Sequence, residues 1–165
     1  MTGAEVCIRR AQPEEAEALT ELIMRSKAQW GYDAAFLEAC RADLTLRPES
    51  ITRDYVVCAE VGGVVAGVAH VLMQDDGEAY LDDLFVEPAY MGQGVGKLLW
   101  GHAVEWAVAQ GATAMVFGAD PNARPFYERM GAAVVGEIVS TIVKGRTTPR
   151  MRYEPLRSEV LRRTT

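Results

Sequence analysis

Gly92, Gly94 and Gly96 recur at alternate positions inside the stretch AYLDDLFVEPAYMGQGVGKLLWGHAVEWAV, residues Ala79–Val108. A glycine has no Cβ, so its backbone can adopt positive φ and approach a ligand closely. Behind the turn runs a helical pattern with Leu98, Leu99, Ala103, Trp106 and Ala107 on one apolar stripe. The first N–H groups of such a helix lack internal partners and lie at the positive end of its dipole. A glycine turn opening a helix therefore suits the grip of a phosphate or pyrophosphate by main-chain amides. Lys97 adds one positive charge.

The spacing narrows the choice of phosphate ligand. A P-loop needs four residues between its first glycine and Gly-Lys, followed by Ser or Thr. Here only Gln93, Gly94 and Val95 separate Gly92 from Gly96-Lys97, and Leu98 follows. A dinucleotide fingerprint reads G-x-G-x-x-G. The third glycine of that pattern falls on Lys97, so this match is poor as well.

The elements around the turn follow from residue pattern. Leu81–Val86 has strand length and composition, and Glu87-Pro88 stops it because proline has no N–H for a sheet. Upstream, Val6–Arg10 reads as a strand. Gln12-Pro13-Glu14-Glu15 opens a helix carrying Ala16, Leu19, Leu22, Ile23 and Ser26 at helical spacing. Trp30-Gly31-Tyr32-Asp33 breaks it. A second helix from about Ala34 carries Phe36, Leu37, Cys40 and Leu44, with Pro48 beyond its end. Tyr55–Glu60 and Val64–Met73 read as strands joined by a Gly62-Gly63 hairpin. Downstream, Gly111 closes the long helix and Thr113–Phe117 is the next strand, expected to pair parallel with Leu81–Val86 through a right-handed crossover. Residues Asp120–Gly131 give a turn and a short helix. Ala133–Val143 is a strand with a bulge at Gly136, and Met151–Tyr153 is a last short strand before a polar tail at 156–165. The fold class is α/β with a mixed sheet, antiparallel at the start and parallel at the middle.

Composition bounds the rest. A chain of 165 residues with 49% hydrophobic and 24% charged residues is one globular domain by length. No apolar run reaches membrane-span length, and Met1–Arg10 lacks the charged-then-apolar order of a secretion signal. Cys7, Cys40 and Cys58 fit neither a disulfide frame nor a zinc site and are expected to be small buried residues of a cytoplasmic protein. The net charge of −6 is uneven: from Lys144 onward seven basic and two acidic residues give +5, leaving −11 for the remainder. An acidic body argues against nucleic-acid binding and favours an amine substrate.

Val86-Glu87-Pro88-Ala89-Tyr90-Met91-Gly92-Gln93-Gly94-Val95-Gly96 resembles the acetyl-CoA signature of the GNAT acetyltransferase superfamily, Arg/Gln-x-x-Gly-x-Gly/Ala after a Val-x-Pro strand end. Met91 departs from it, standing where the family prefers Arg or Gln. The segment Asp120–Gly131 resembles the second GNAT signature, with Tyr127 on the family's tyrosine and Asn122 displaced, since the usual spacing would place the asparagine at Asp120. The resemblance covers about Val6–Tyr153. It implies the GNAT acyl-CoA N-acyltransferase fold, a mostly antiparallel mixed sheet flanked by helices, in a single domain. It also implies acetyl-CoA as cosubstrate, no metal, and direct transfer to a primary amine of a small molecule or peptide.

Site roles follow from the same resemblance. Leu84, Phe85, Val86, Met91, Gly92, Gln93, Gly94, Val95, Gly96, Lys97, Asn122 and Tyr127 would contact the coenzyme. A backbone N–H near Phe85 or Val86 would polarise the thioester carbonyl, and Tyr127 would protonate the leaving thiolate. The junction of the first two helices forms the acceptor wall in the family, which makes Trp30, Tyr32 and Asp33 substrate candidates. Several members place a basic carboxylate where this chain has Tyr80. Strand alternation puts Tyr80, Asp82, Leu84 and Val86 on one face and Leu81, Asp83 and Phe85 on the other, so Asp82 is the nearest carboxylate and Asp82 with Asp83 is no dyad. His70 is the second candidate base, and His102 is structural. A homodimer is compatible with this fold. The competing reading is a coenzyme-A-binding sensor without turnover, which Met91 and the missing carboxylate at Tyr80 both allow.

Overall fold

A computed structural model describes residues 5–155. Among the described residues five α-helices and seven strands follow one another: β1 (Val6–Arg10), α1 (Ala16–Ala28), α2 (Ala34–Leu44), α3 (Pro48–Arg53), β2 (Tyr55–Val61), β3 (Val64–Met73), β4 (Ala79–Val86), α4 (Val95–Ala109), β5 (Met115–Gly118), α5 (Arg124–Arg129), β6 (Ala133–Val139) and β7 (Thr147–Tyr153). The strands form one mixed sheet in the order β1-β2-β3-β4-β5-β7-β6. β1 with β2 and β2 with β3 run antiparallel, and β4 with β5 runs parallel as expected. β7 pairs antiparallel with both β5 and β6.

The chain divides into two compact units, one through Val71 together with Asp83–Ala103, the other Leu72–Asp82 with the residues from Val104 onward. In the first, two apolar clusters lie on the alternate faces that strand geometry dictates. Leu19, Leu22 and Ile23 of α1 pack with Ile51, Val56, Cys58 and Val68, and Phe85 leans on them. Val95 and Leu99 of α4 pack with Val57, Ala59, Ala66 and Ala69, joined by Leu84 and Val86. Leu98, placed by periodicity on the buried stripe, is exposed instead, because the stripe turns through Val95, Leu99 and Ala103. Cys7 is also exposed, whereas Cys40 and Cys58 are buried.

Local signals explain most boundaries. The N–H of Gln12 donates to Glu15 Oε1 at 2.9 Å ahead of α1, and Arg9 grips both oxygens of that carboxylate at 2.8 Å. Gly62 and Gly63 have φ of 58° and 82°, the hairpin conformation their pair anticipates. α3 was not anticipated: Pro48 opens a six-residue helix as its first-turn proline rather than merely following α2. A bulge at Ala66 of β3 was not anticipated either. Ala59 faces Gly67 while Glu60 faces Val65, which leaves Ala66 as the extra residue.

In the second unit, Ala79 lies opposite Met115 and Tyr80 opposite Val116. Arg152 of β7 pairs with Glu78 just ahead of β4. β6 stops at Val139 rather than Val143, β7 starts at Thr147 rather than Met151, and the expected bulge falls on Val135 beside Gly136. The expected tail at 156–165 lies outside the described residues. Among the described residues no helix is long and apolar enough to cross a membrane.

Ile23→Ala is expected to cost about 2–5 kcal/mol in urea unfolding, because the wild-type side chain has no exposure and its loss leaves a cavity. Val139→Ala, at a position 71% exposed, is expected to stay within about 0.5 kcal/mol.

Candidate active site

The glycine turn sits in the first unit. Gly92 and Gly94 have φ of 77° and 83°, and a Cβ at either would meet nothing within 4 Å. Conformation, not crowding, therefore demands glycine at both. α4 begins at Val95, and the N–H of Leu98 donates to the Gly94 carbonyl at 3.1 Å. The amides of Val95, Gly96 and Lys97 precede that first intrahelical bond, so helix geometry supplies them no internal acceptor. Gly94 and Lys97 are exposed, Val95 is buried, and Met91 is half-buried. Such an arrangement can hold an anion through main-chain amides with few cationic side chains.

The strand entering the turn is held at its end. The N–H of Glu87 donates to the Ala66 carbonyl at 2.8 Å. The Glu87 carboxylate takes two hydrogen bonds from Arg25 of α1, from Nε at 2.7 Å and Nη2 at 2.8 Å. Leu84, Phe85 and Val86 are half-buried just before it.

His70 of β3 is buried between two carboxylates. Its Nε2 lies 2.8 Å from Asp54 Oδ2 and its Nδ1 lies 3.3 Å from Asp83 Oδ2. Arg53 completes the cluster, reaching Asp54 with Nε at 2.9 Å and Nη2 at 3.0 Å. Burial alone would raise the Asp54 carboxyl, but the bonds from Arg53 and His70 outweigh it and hold it below the usual carboxylate range. An ionised carboxylate only accepts hydrogen bonds, so the His70 nitrogen facing Asp54 is the donor of that bond.

At the junction of α1 and α2, Trp30 is exposed and Tyr32 stacks on Phe36 with centroids 4.5 Å apart. Lys27 Nζ lies 5.2 Å from the Tyr32 ring centroid. Asp33 caps α2, its Oδ1 accepting from the Phe36 N–H at 2.8 Å. The cap occupies one oxygen of that carboxylate, an expenditure the sequence reading did not assign.

In the second unit, Tyr127 of α5 is buried between two rings, Phe117 at 4.6 Å and Phe126 at 5.1 Å. Asn122 makes an Asx turn with Asp120: its N–H and its Nδ2 donate to Asp120 Oδ1 at 2.8 and 3.0 Å. Asp82 is exposed on β4 and Tyr80 is half-buried two residues earlier.

The model of a family described as Acetyltransferase (GNAT) family matches residues 16–132. This chain belongs to the GNAT acetyltransferase family. A Salmonella typhimurium relative, named peptidyl-lysine N-acetyltransferase YjaB, is 34% identical over 136 residues, 78% of this chain and 84% of that protein. Among solved structures, a PaiA N-acetyltransferase from Thermoplasma acidophilum in complex with coenzyme A is similar in fold, with TM-score 0.75 at 18% identity over 91% of this chain and 99% of that one. YncA from Salmonella typhimurium, solved with acetyl-CoA, has TM-score 0.65 at 22% identity over 92% and 95% of the two chains.

Within this GNAT chain, the first unit contains Gly92–Lys97, Leu84–Val86, His70 and the Trp30–Asp33 junction. The second contains Tyr80, Asp82, Asn122 and Tyr127. Sequence reasoning missed Asp54 and Asp83 as partners of His70, and Arg25 as the partner of Glu87. Asp54 carried no signal, since sixteen residues separate it from His70. Asp83 was legible only as the face opposite Asp82.

The lowered Asp54 carboxyl sets a pH dependence. A depressed folded-state value stabilises above the ordinary carboxylate range and is lost as pH falls through it. The part of the stability gap between wild type and Asp54→Asn that this carboxylate supplies is therefore expected to shrink as pH falls from about 5 towards 3, read by urea midpoints across that range.

Proposed function

We propose that the chain moves the acetyl group of acetyl-CoA directly onto a primary amine of a small molecule or peptide. The observation that carries this reading is the pair of positive-φ glycines presenting the first amides of α4 just beyond a strand end. That cradle suits the coenzyme's diphosphate, with Gly92, Gln93, Gly94, Val95, Gly96 and Lys97 around it and Met91 at its edge. The name of the YjaB relative makes a peptide lysine the first acceptor to try. A Trypanosoma brucei relative, 29% identical over 96 residues, is named glucosamine 6-phosphate N-acetyltransferase and supports a small amine as the second.

In the proposed reaction the amine nitrogen bonds the acetyl carbon and the carbon–sulfur bond breaks. A lysine amine has an ordinary pKa of about 10.4, so a base must take its proton. Asp82 is our first choice because it is exposed on β4. His70 ranks second because both its nitrogens face carboxylates. The carbonyl gathers negative charge as the bond forms, and the N–H of Phe85 or Val86 is the proposed donor. Tyr127 is proposed to give its proton to the leaving thiolate, and Asn122 to support the coenzyme. Trp30, Tyr32, Asp33 and Tyr80 are proposed to face the acceptor.

The sensor reading rests on Met91, which replaces the Arg or Gln of the family signature, and on Tyr80, which stands where several members carry a carboxylate; it differs by lacking turnover. Purified protein mixed with acetyl-CoA and a panel of lysine peptides and amino sugars is expected to release free thiol; coenzyme binding without thiol release favours the sensor.

Gly94→Val is expected to abolish acetyl-CoA binding in calorimetry, since a β-branched residue resists positive φ. Unchanged affinity would remove the cradle from the argument. Tyr127→Phe keeps the ring between Phe117 and Phe126, and it is expected to lower kcat about a hundredfold with little change in acetyl-CoA affinity. Normal turnover in this variant rejects Tyr127 as the acid.

A further inference from the structure

Gly67 of β3 is buried, and a Cβ there would crowd three residues of two elements, α4 and β4. It would lie 2.8 Å from Leu99 Cδ1, 3.0 Å from the Phe85 carbonyl oxygen and 3.2 Å from Val95 Cγ1. Leu99 could swing its terminal methyl aside. Phe85 offers backbone, which has no rotamer to change. Val95 is the first residue of α4, directly behind Gly94, and both it and Leu99 are buried. Spaced four apart, these two side chains form one ridge of the helix on the sheet.

We propose that Gly67 is a positioning residue for acetyl transfer: its missing side chain seats both the mouth of α4 and the Phe85–Val86 peptide. The proposal rests on the coenzyme site argued above. In a planar trans peptide the C=O and N–H point in opposite directions. The Phe85 carbonyl approaches Gly67, so the Val86 N–H of that same peptide points away from β3. That N–H is one of the two proposed donors to the thioester carbonyl. A methyl at position 67 pushes on the carbonyl and tilts the donor. It also lifts Val95 and, with it, the amides of the helix mouth.

Two features of the first unit fix this point of β3. Ala66, the neighbour of Gly67, is the bulged residue, and its carbonyl accepts the Glu87 N–H. Arg25 holds the Glu87 side chain. Both ties end on Glu87, two residues beyond Phe85, so the added volume has no easy exit at that end.

The test uses the full chain. Wild-type protein is first titrated with acetyl-CoA; absence of binding rejects the coenzyme site itself, whatever position 67 does. Given binding, Gly67→Ala is expected to weaken acetyl-CoA affinity and lower kcat by about tenfold or more each, with KM for the amine unchanged. Adding Leu99→Ala removes the 2.8 Å contact and opens room for α4 to shift by the few tenths of an ångström that Val95 requires, but it leaves the carbonyl contact untouched. The double variant should regain coenzyme affinity while kcat stays low. Leu19→Ala, a truncation in the other cluster, reports what lost stability alone does and should leave both coenzyme values unchanged below its melting temperature. Wild-type affinity and kcat in Gly67→Ala would overturn the proposal, as would the same defects in Leu19→Ala. If Gly67→Ala does not fold, the double variant decides: low kcat with normal affinity supports the proposal, and normal kcat overturns it.

Discussion

The candidate site depends on a backbone conformation at two glycines. Positive φ at Gly92 and Gly94 turns the chain out of β4 and into α4, directly ahead of the helix's first amides. A side chain at either position would strain this conformation whatever space surrounds it. The rest of the first unit keeps the turn in place. Val95 and Leu99 bury the start of α4 against β3, while the Ala66 carbonyl and Arg25 hold the residue after β4.

Those restraints differ in kind. Burial of Val95 and Leu99 is the larger energetic contribution, since each removes an aliphatic side chain from water, about 1.5–3 kcal/mol apiece. The Arg25–Glu87 pair is bidentate, but Arg25 is 54% exposed, and exposed pairs contribute at most about 1 kcal/mol. Its main effect is directional. It fixes where Glu87 points, and so where the chain enters the turn.

The Asp54–His70–Asp83 cluster follows a different logic. Burying ionisable groups is unfavourable unless each is paired and hydrogen-bonded. Here Arg53 and the His70 ring both bond to Asp54, and the ring's other nitrogen faces Asp83. The cluster joins residues next to β2, within β3 and within β4, all in the first unit. It gives a physical reason for a polar island at the edge of an aliphatic core.

Much of this was legible in the residues. Period-two and period-3.6 patterns, the Gly62-Gly63 hairpin, the Pro88 stop and the three glycines specify local conformation, because each acts through its own backbone or its near neighbours. That placed the strands, the long helix, the parallel pairing and the glycine turn ahead of the long helix. Boundaries slipped where the local signal was thin. α3 has a single buried residue, Ile51, and β7 begins before its apolar residues do. Leu98 fitted the helical stripe, but only packing decides which flank of a broad stripe is covered. The partners of His70, the clamp on Glu87 and the crowding at Gly67 were settled by tertiary structure alone. Each joins groups distant in the chain, and no local pattern encodes which residue will meet which across a folded sheet.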